Sequence, residues 1–367
     1  MSLKILIAPD KFKGTLTAPQ AARAIARGWR AARPRDRLTI LPISDGGDGF
    51  GLLLSRQLGA HARQVTTVDA VHRKVTAPWW LHARTAIIES ANIIGLAMLP
   101  PDQDHPFRRD THGLARALVR AARAGATRCI VGIGGSATND GGFGLAHALG
   151  WKFTNGHGQA IEQWPDLAHL HALTPPRRFR LFRQLTVAVD VQNPLLGAHG
   201  ASRVYGPQKG LLARDLPQAE LALRQMARVW QQQFGQAAHK LPGAGAAGGL
   251  GFGLHCFAGA TLRPGFDLFA EAVKLPHLLN QADVVITGEG AMDRQTVMGK
   301  GVGELARRAD EARRACIGVA GQVADRKALK DHFDRLESLE EFAGAHPAFN
   351  EPSKSLMRLT RTIAAAL

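Results

Sequence analysis

Acidic, basic and glycine residues cluster in this sequence where short apolar runs end. Carboxylates are oxygen ligands of the kind that Mg²⁺ prefers, and lysines and glycine amides can hold an anion. In chain order, the residues are Asp10, Lys11 and Lys13; Ser44, Asp45 and Asp48; Gly134, Gly135, Ser136, Thr138 and Asn139; Asp190 and Asn193; Glu289, Asp293 and Lys300. Single positions of this kind fit ordinary turns. Five strand ends with the same chemistry indicate an enzyme site for an anionic or phosphorylated ligand.

The glycine-rich run from 134 to 142 gives the strongest local signal. Glycine lets backbone N–H groups approach an anion, and Ser136, Thr138 and Asn139 add side-chain donors. The segment 143–149 is helix-like, and a helix N-terminus favours negative charge. The run therefore predicts a phosphate or carboxylate site. Lys209, taken alone, is equally consistent with a surface lysine.

A second glycine-rich run, Gly243 to Gly248, has the G-x-G-x-x-G spacing of dinucleotide-binding proteins. That motif requires a strand immediately before it, whereas a helix-like segment and Pro242 precede it here. The spacing therefore does not predict NAD binding. The sequence also lacks a Walker A motif and the protein-kinase motif set.

Strand-like and helix-like runs alternate at both ends of the chain, which is typical of a parallel sheet with helices on both faces. Strands are predicted at 4–9, 37–43, 282–287, 315–320 and 335–342, and helices at 17–32 and 353–367, the first capped by Thr17 with Gln20. Between 65 and 90, successive strand-like pieces indicate a more antiparallel or mixed sheet. A helix at 114–124 and strands at 128–133 and 184–191 are predicted to follow. We therefore expect an α/β domain built from residues 1–65 and 271–367, interrupted by an inserted α/β domain at 66–270.

Composition narrows the class of protein. Lys and Arg outnumber Asp and Glu by 46 to 30, but they are spread along helix-like stretches without a zinc-finger or RNA-binding signature. A solvated basic surface, which also attracts small anions, is favoured over nucleic-acid binding. The three separated cysteines indicate a reducing compartment, and neither a signal peptide nor a membrane span is predicted. We expect a cytoplasmic enzyme.

Eight runs, in this order, resemble the bacterial glycerate kinase family. They are APDKFKGTLTAPQAA, PISDGGDG, IESANIIGL, VGIGGSATNDGG, VAVDVQNPLLG, YGPQKG, PGAGAAGGLG and ITGEGAMDRQTVMGK. The resemblance implies a flavodoxin-like domain interrupted by a second α/β domain that resembles restriction endonucleases. It implies transfer of the γ-phosphoryl group of ATP to D-glycerate with Mg²⁺, commonly giving 2-phosphoglycerate. The implied partners are ATP and D-glycerate, with neither nucleic acid nor membrane, and a homo-oligomer is left open.

The resemblance also implies roles for single residues in a cleft between the two domains. Asp190 is the candidate base for the glycerate hydroxyl or else a Mg²⁺ ligand, and Lys11, Lys13 and Lys209 offset phosphate charge or bind the carboxylate. Phosphate or substrate binding is expected of Asp10, Ser44, Asp45, Gly134, Gly135, Ser136, Thr138, Asn139, Asn193 and Lys300. The candidate Mg²⁺ ligands are Asp45, Asp48, Glu289 and Asp293.

The chain departs from the family pattern at Asp48, Phe50, Ala291-Met292 and Val302. Family members carry Arg-Leu at 291–292, and an arginine fork has no equivalent among other side chains. The departures leave the identity of the acid open. A kinase of another small sugar acid and a non-catalytic binding protein for an anionic metabolite are the alternatives.

Overall fold

The computed structural model describes residues 2–47, 49–100, 104–177, 180–297 and 301–367. The chain divides into two compact units. The first unit joins residues 1–45 to residues 269–367, and the second unit comprises residues 46–268. The first division falls at Gly46, earlier than the expected boundary at 66. The predicted Mg²⁺ ligand Asp48 and the predicted phosphate ligand Lys300 lie outside the described residues.

Strands and helices alternate along much of the chain, which is a mixed α/β protein. The strands are β1 (Lys4–Ile7), β2 (Arg37–Ile40), β3 (His61–Val68), β4 (Lys74–His82), β5 (Thr85–Glu89), β6 (Arg128–Gly132), β7 (Lys152–Asn155), β8 (Leu170–Thr174), β9 (Gln184–Val189), β10 (Thr261–Pro264), β11 (Val284–Met292), β12 (Ala315–Val323) and β13 (Arg335–Ser338). The helices are α1 (Ala18–Ala32), α2 (Phe50–Gln57), α3 (Ala91–Ile94), α4 (His112–Arg123), α5 (Phe143–Ala148), α6 (Ala201–Tyr205), α7 (Leu216–Phe234), α8 (Ala246–Ala258), α9 (Gly265–Ala272), α10 (Leu275–Gln281), α11 (Gly301–Glu311), α12 (Arg326–Leu329), α13 (Leu339–Ala343), α14 (Ala345–Asn350) and α15 (Pro352–Ala365). Short 3-10 turns lie at Leu96–Met98, Pro106–Arg108, Trp164–His169, Pro207–Lys209 and Ala238–Lys240.

The first unit is built on a five-stranded, all-parallel sheet in the order β13-β12-β11-β1-β2. The chain runs from β1 to β2 on one side and later returns to β11, β12 and β13 on the other. Helices α1 and α15 pack together, and Trp29 and Leu359 join strand residues such as Ile5 and Ile286 in one apolar core. The apolar character of the inner strands β1, β11 and β12 follows from burial on both faces, whereas the edge strand β2 is largely exposed. The order of strands reverses at β1.

Helix α1 begins as its sequence predicts. The N–H of Gln20 donates to Thr17 Oγ1 at 3.4 Å, and the N–H of Thr17 donates to Gln20 Oε1 at 2.9 Å. These two bonds form a capping box, which satisfies amides that the first turn leaves without intrahelical partners.

The strand predicted at 335–342 is wrong in its second half. β13 ends at Ser338, whose Oγ accepts a hydrogen bond from the N–H of Glu341 at 3.4 Å and starts α13. Two glutamates in the first turn favour a helix at this point, because its N-terminus carries partial positive charge. The cap and the acidic first turn outweigh the strand-like pattern.

The second unit contains a six-stranded mixed sheet in the order β10-β9-β6-β5-β4-β3. β3, β4 and β5 pair antiparallel, whereas β5, β6, β9 and β10 pair parallel. The prediction of a mixed sheet after residue 65 is thus confirmed. One apolar core includes Leu118, Val131 and Leu250, and a second gathers aromatic rings that include Trp151 and Phe257.

Within the described ranges, none of the helices combines the length and the apolar character needed to cross a bilayer.

Candidate functional site

Three carboxylates influence one another at the carboxyl end of the first unit's sheet. Asp10 follows β1, Asp45 follows β2, and Glu289 lies near the end of β11. Burial, and next the Asp45 carboxylate, raises the pKa of Asp10 to about 7; Glu289 adds to the rise, while the Lys11 N–H and ammonium group oppose it. Carboxylates crowded in this way favour binding of a cation or a proton.

Backbone hydrogen bonds fix the position of Asp10. Its N–H donates to the Gly288 carbonyl at 2.8 Å, and the N–H of Ile43 donates to the Pro9 carbonyl at 2.9 Å. The segment after β1 is therefore tied to β11 and to the segment that follows β2. On its other side, Gly288 lies close to β12, where a Cβ would be 1.9 Å from the Val319 carbonyl oxygen.

Glu289 and Asp293 are connected through Thr296. The Thr296 hydroxyl donates to Glu289 Oε1 at 2.8 Å and accepts from the N–H of Asp293 at 3.2 Å. The Asp293 carboxylate accepts the N–H of Gln295 at 2.7 Å. Glu289 is thus held by a hydroxyl, and Asp293 is partly engaged in its own turn.

The described residues contain no group of three or more His, Cys, Asp or Glu side chains arranged to hold a metal ion by themselves. Mg²⁺ commonly uses only one or two carboxylates and completes its shell with water and substrate phosphates. The crowded pair Asp10 and Asp45, with Glu289 beside it, fits that second pattern. Of the remaining predicted residues in the first unit, Ser44 is buried, Lys11 is half-buried and Lys13 is exposed.

In the second unit, Lys209 is buried against the loop at 134–140. Its Nζ donates to the Thr138 carbonyl at 2.6 Å, and its own carbonyl accepts from Arg109 Nη1 at 2.8 Å. Burial lowers the pKa of Lys209 to about 7; Arg109 also lowers it, and the Asp140 carboxylate opposes this shift. Lys209 is 4% exposed, so it holds this loop from within.

Asp140 occupies the start of α5, where the sequence predicts a bound anion. Its Oδ2 accepts from the Thr111 hydroxyl at 2.7 Å, the Thr111 N–H at 2.9 Å and the Gly144 N–H at 3.0 Å. Burial, and next Asp110, raises the pKa of Asp140 to about 6, against these hydrogen bonds. A carboxylate from the chain itself therefore takes amides that were expected to face a ligand.

The polar side chains of the 134–140 loop point into the second unit. The Ser136 hydroxyl donates to the Ala247 carbonyl at 3.1 Å, and Asn139 Nδ2 donates to Ser202 Oγ at 2.8 Å. Ser136, Thr138 and Asn139 are all buried, whereas Gly134 is half-buried and Gly135 exposed. The accessible part of the loop is its glycine backbone.

The glycine run that imitates a dinucleotide motif packs against this loop. Gly248 has φ +71°, and a Cβ at this position would lie 2.0 Å from the Thr138 carbonyl oxygen. The N–H of Gly141 donates to the Gly248 carbonyl at 3.0 Å. The close spacing of the glycines therefore serves contact between two backbone segments.

Asp190 and Asn193 are brought together with Tyr205. The Tyr205 hydroxyl donates to Asn193 Oδ1 at 2.7 Å, and Asn193 Nδ2 donates to the His199 carbonyl at 2.8 Å. Burial, and next the Asp190 carboxylate, raises the pKa of Tyr205 to about 12. Asp190 itself is exposed directly after β9, which leaves its carboxylate accessible to a substrate.

Sequence reasoning missed Arg109, Asp140 and Tyr205. Asp140 ends the polar part of the 134–142 run, and its direct placement before two glycines is a signal for capping. Tyr205 is the sole tyrosine of the chain and lies four residues before Lys209. Arg109 carries no local signal, because its role depends on a partner 100 residues away.

Parallel strands that end in carboxylates and glycine loops place this protein in the mixed α/β class. The model of the glycerate kinase family matches residues 5–367. The chain is 38% identical over 377 residues to a glycerate kinase of Bacillus subtilis strain 168, covering all of this chain and 98% of that protein. It is 34% identical over 378 residues to the glycerate 2-kinase of Escherichia coli K12, with the same coverage. This chain belongs to the glycerate kinase family.

A solved structure supports the same assignment. A crystal structure from Salmonella typhimurium LT2, described as a candidate glycerate kinase 2, superposes with a TM-score of 0.84 at 34% identity. The match covers 100% of this chain and 98% of that one. The similarity therefore extends over the α/β fold as a whole, and the resemblance of the eight runs to this family is confirmed.

Proposed function

We propose that this protein is an ATP-dependent kinase that transfers the γ-phosphoryl group of ATP to the 2-hydroxyl of D-glycerate. Membership of a kinase family gives the reaction class, and the name of the E. coli relative gives the favoured position. The structural observation that carries the proposal is the crowding of Asp10 by Asp45 and Glu289 beside Lys11. Phosphoryl transfer relies on positioning and charge neutralisation, which such groups supply.

For the first unit we propose a flavodoxin-like fold. Counted within this unit, β2, β1, β11, β12 and β13 are strands 2, 1, 3, 4 and 5 of the sheet, which is the flavodoxin-like order. Ligands of such sheets bind beyond the carboxyl ends of the strands where the order reverses. Asp10 follows β1, and Glu289 lies near the carboxyl end of β11, the two strands at that point. For the second unit, the mixed sheet supports the proposed restriction-endonuclease-like domain, and we keep the two-domain division as part of the proposal.

We propose that Mg²⁺ binds with the nucleotide. Asp45 and Glu289, with Asp10, are the candidate ligands, and Asp293 is a weaker candidate because its carboxylate already accepts a backbone N–H. When bound, Mg²⁺ would neutralise phosphate charge. Lys11 and Lys13 would neutralise charge on the same triphosphate.

Asp190 is the proposed general base. It would accept the proton of the glycerate 2-hydroxyl while that oxygen forms a bond to the γ-phosphorus and the bond to the ADP oxygen breaks. Its exposure supports this role, because a base must reach the substrate. Tyr205, whose pKa the Asp190 carboxylate helps to raise, is its electrostatic neighbour. Asn193, held by Tyr205 and the His199 carbonyl, would help to orient the substrate.

The 134–140 loop is proposed to bind anionic oxygens through its backbone. Gly135 is exposed and Gly134 is half-buried, so their amides are the candidate donors, whereas Ser136, Thr138 and Asn139 brace the loop from inside the second unit. Lys209 then acts as a positioning residue that holds the Thr138 carbonyl. This assignment differs from the expected direct contact of Lys209 with phosphate.

A reducing, cytoplasmic compartment is proposed for the protein. Cys129, Cys256 and Cys316 are buried free thiols, and burial raises the pKa of each thiol. Buried protonated thiols are unreactive structural groups. Their presence without a disulfide fits a compartment that keeps thiols reduced.

The proposal is tested by ADP release from MgATP in the presence of D-glycerate, L-glycerate, glycolate or tartronate. We expect D-glycerate to give the highest kcat/KM. A different acid preferred by more than about tenfold, equivalent to about 1.4 kcal/mol, would establish the alternative sugar-acid kinase. Stabilisation by an acid without ADP release would indicate a binding protein instead.

A further inference from the structure

A cavity of about 280 Å³ lies in the first unit beside the candidate phosphate-binding lysines. Its wall is formed by the segment after β1, by the carboxyl-terminal parts of β11 and β12, and by α13 and α14. The residues that matter here are Phe12, Lys13, Gly290, Gln322, Glu340 and Phe349. This volume is close to the lower limit for small-molecule pockets. The cavity therefore suits a compact group better than a whole nucleotide.

The cavity lies near the point where the order of strands in the sheet reverses. Gly290 follows Glu289 directly, and Lys13 lies two residues after Lys11. The cavity thus adjoins the carboxyl ends of β1 and β11, between which the order of strands reverses. Open α/β sheets bind ligands at this point.

Two glycines keep part of the cavity wall free of side chains. A Cβ at Gly290 would lie 2.9 Å from the Lys13 backbone nitrogen, and a Cβ at Gly321 would lie 2.4 Å from the Gly290 carbonyl oxygen. A side chain at either position would thus meet neighbouring backbone, and Gly290 and Gly321 contribute only backbone atoms to the lining. A backbone surface of this kind accepts the face of a flat ring.

An exposed aromatic ring lies at the same cavity. Phe349 on α14 is 65% exposed, although phenylalanine usually buries most of its surface. By contrast, Phe12, the other phenylalanine of the lining, is 1% exposed. An exposed ring at a cavity offers a stacking surface for a nucleic-acid base.

The polar side chains of the cavity are available to a ligand. Lys13, Gln322 and Glu340 make no side-chain hydrogen bond or ion pair with any residue in the described ranges. Lys13 offers a positive charge for phosphate, whereas the Glu340 carboxylate and the Gln322 amide can pair with amino and ring-nitrogen groups of a base. The lining thus combines a lysine that can bind phosphate with two side chains that can form hydrogen bonds to a nucleic-acid base.

We infer that this cavity binds the adenine base of the nucleotide, with Phe349 stacked on the ring and Glu340 or Gln322 at its polar edge. This inference rests on the proposed kinase function, because that function identifies ATP as the nucleotide. It adds the base subsite, which neither family membership nor the phosphate-binding residues assign.

The test compares ADP with pyrophosphate, which lacks the base. Binding of each is measured by titration calorimetry in the presence of Mg²⁺ for the wild type, Phe349→Ala, Phe349→Tyr and Phe342→Ala. Phe342 on α13 is a matched control, because it is an exposed phenylalanine that does not line the cavity. Phe349→Ala should weaken ADP binding about tenfold, the size expected for loss of one stacking ring. Pyrophosphate binding should change less than about twofold, and Phe349→Tyr should restore ADP affinity.

Several results would overturn the inference. These are unchanged ADP affinity in Phe349→Ala, an equal loss in Phe342→Ala, or an equal loss for pyrophosphate. Failure of the proposed function is seen separately, as absence of acid-dependent ADP release by the wild type. A wild type that binds ADP through Phe349 without phosphorylating any acid would keep the base subsite and discard the kinase.

Discussion

The Lys209 ammonium group donates a hydrogen bond to the Thr138 carbonyl at 2.6 Å from a position that is 4% exposed. A lysine that the sequence presents as a phosphate ligand thus supports the backbone of a glycine loop. Burying its charge costs free energy that the Asp140 carboxylate only partly offsets, which is why its pKa falls to about 7. The loop is therefore supported by a buried lysine whose charged form is disfavoured.

This burial predicts a pH dependence of stability. The folded-state pKa of Lys209, about 7, is below its ordinary value of 10.5, so the unfolded chain binds more protons between these values. Stability of the wild type relative to Lys209→Met should rise with pH from about 7 to 10, by up to about 1.4 kcal/mol per pH unit. Below pH 7 the difference should be constant. Denaturant titrations of both proteins at several pH values measure it, and a flat difference from pH 7 to 10 would refute the burial of the charge.

Thr111 is predicted to stabilise the start of α5 through Asp140. Its hydroxyl donates to Asp140 Oδ2 and accepts the N–H of Leu145 at 2.9 Å. Thr111→Val keeps the shape but leaves both groups short of a partner, so we expect a loss of about 1–3 kcal/mol in the free energy of unfolding. Thr66→Val, at an exposed strand position, is the control and should change it by less than about 0.5 kcal/mol. Equal effects of the two substitutions would count against the network.

Gly248 and Gly259 have the same backbone conformation but different surroundings, so alanine substitutions at the two sites test how Gly248 packs against the 134–140 loop. Both have φ 71° and ψ 32°, so alanine at either site incurs the left-handed penalty of about 1–2 kcal/mol. Only at Gly248 does the new Cβ meet backbone, 2.0 Å from the Thr138 oxygen; at Gly259 the nearest atom is Arg180 Nε at 3.3 Å. Gly248→Ala should cost about 1–3 kcal/mol more than Gly259→Ala.

Thermal and denaturant unfolding of the two alanine variants measure this difference. Gly248→Ala should also lower kcat/KM, because it displaces the backbone at 134–140, whereas Gly259→Ala should leave turnover near the wild-type level. Similar stability and turnover in the two variants would show that the loop tolerates displacement.

Asp190→Asn is predicted to lower kcat by at least about 100-fold, because the amide cannot accept the hydroxyl proton. The side chain is exposed, so the free energy of unfolding should stay within about 0.5 kcal/mol of the wild type. Asp331→Asn, another exposed aspartate just before β13 at the amino end of the sheet, is the control and should retain full turnover. Near-normal kcat in Asp190→Asn would remove Asp190 from the mechanism.

The sequence predicts the elements well where local signals agree. Residues close together in the sequence determine both the Thr17–Gln20 capping box and the succession of strands after residue 65. The strand predicted at 335–342 fails because Ser338 caps a helix at the same place. A helix cap of this kind competes with the strand-like pattern. Here the Ser338 hydroxyl group favours the helix.

The candidate site is less accessible to sequence reasoning, because its chemistry depends on burial. Ser136, Thr138 and Asn139 have suitable donors, yet their direction into the second unit follows from partners such as Ser202 and Ala247. In the same way, Asp140 can be recognised as a cap only when the Thr111 hydroxyl is known to reach it. Residue types indicate the class of ligand, and packing decides which groups remain available to it.

Phosphorus NMR of the reaction of the wild-type protein with MgATP and D-glycerate tests the central claim most directly. We predict that the γ-phosphate signal of ATP is replaced by that of 2-phosphoglycerate in equal amount, with ADP as the other product. Release of inorganic phosphate alone, or phosphorylation of the 3-hydroxyl, would contradict the account.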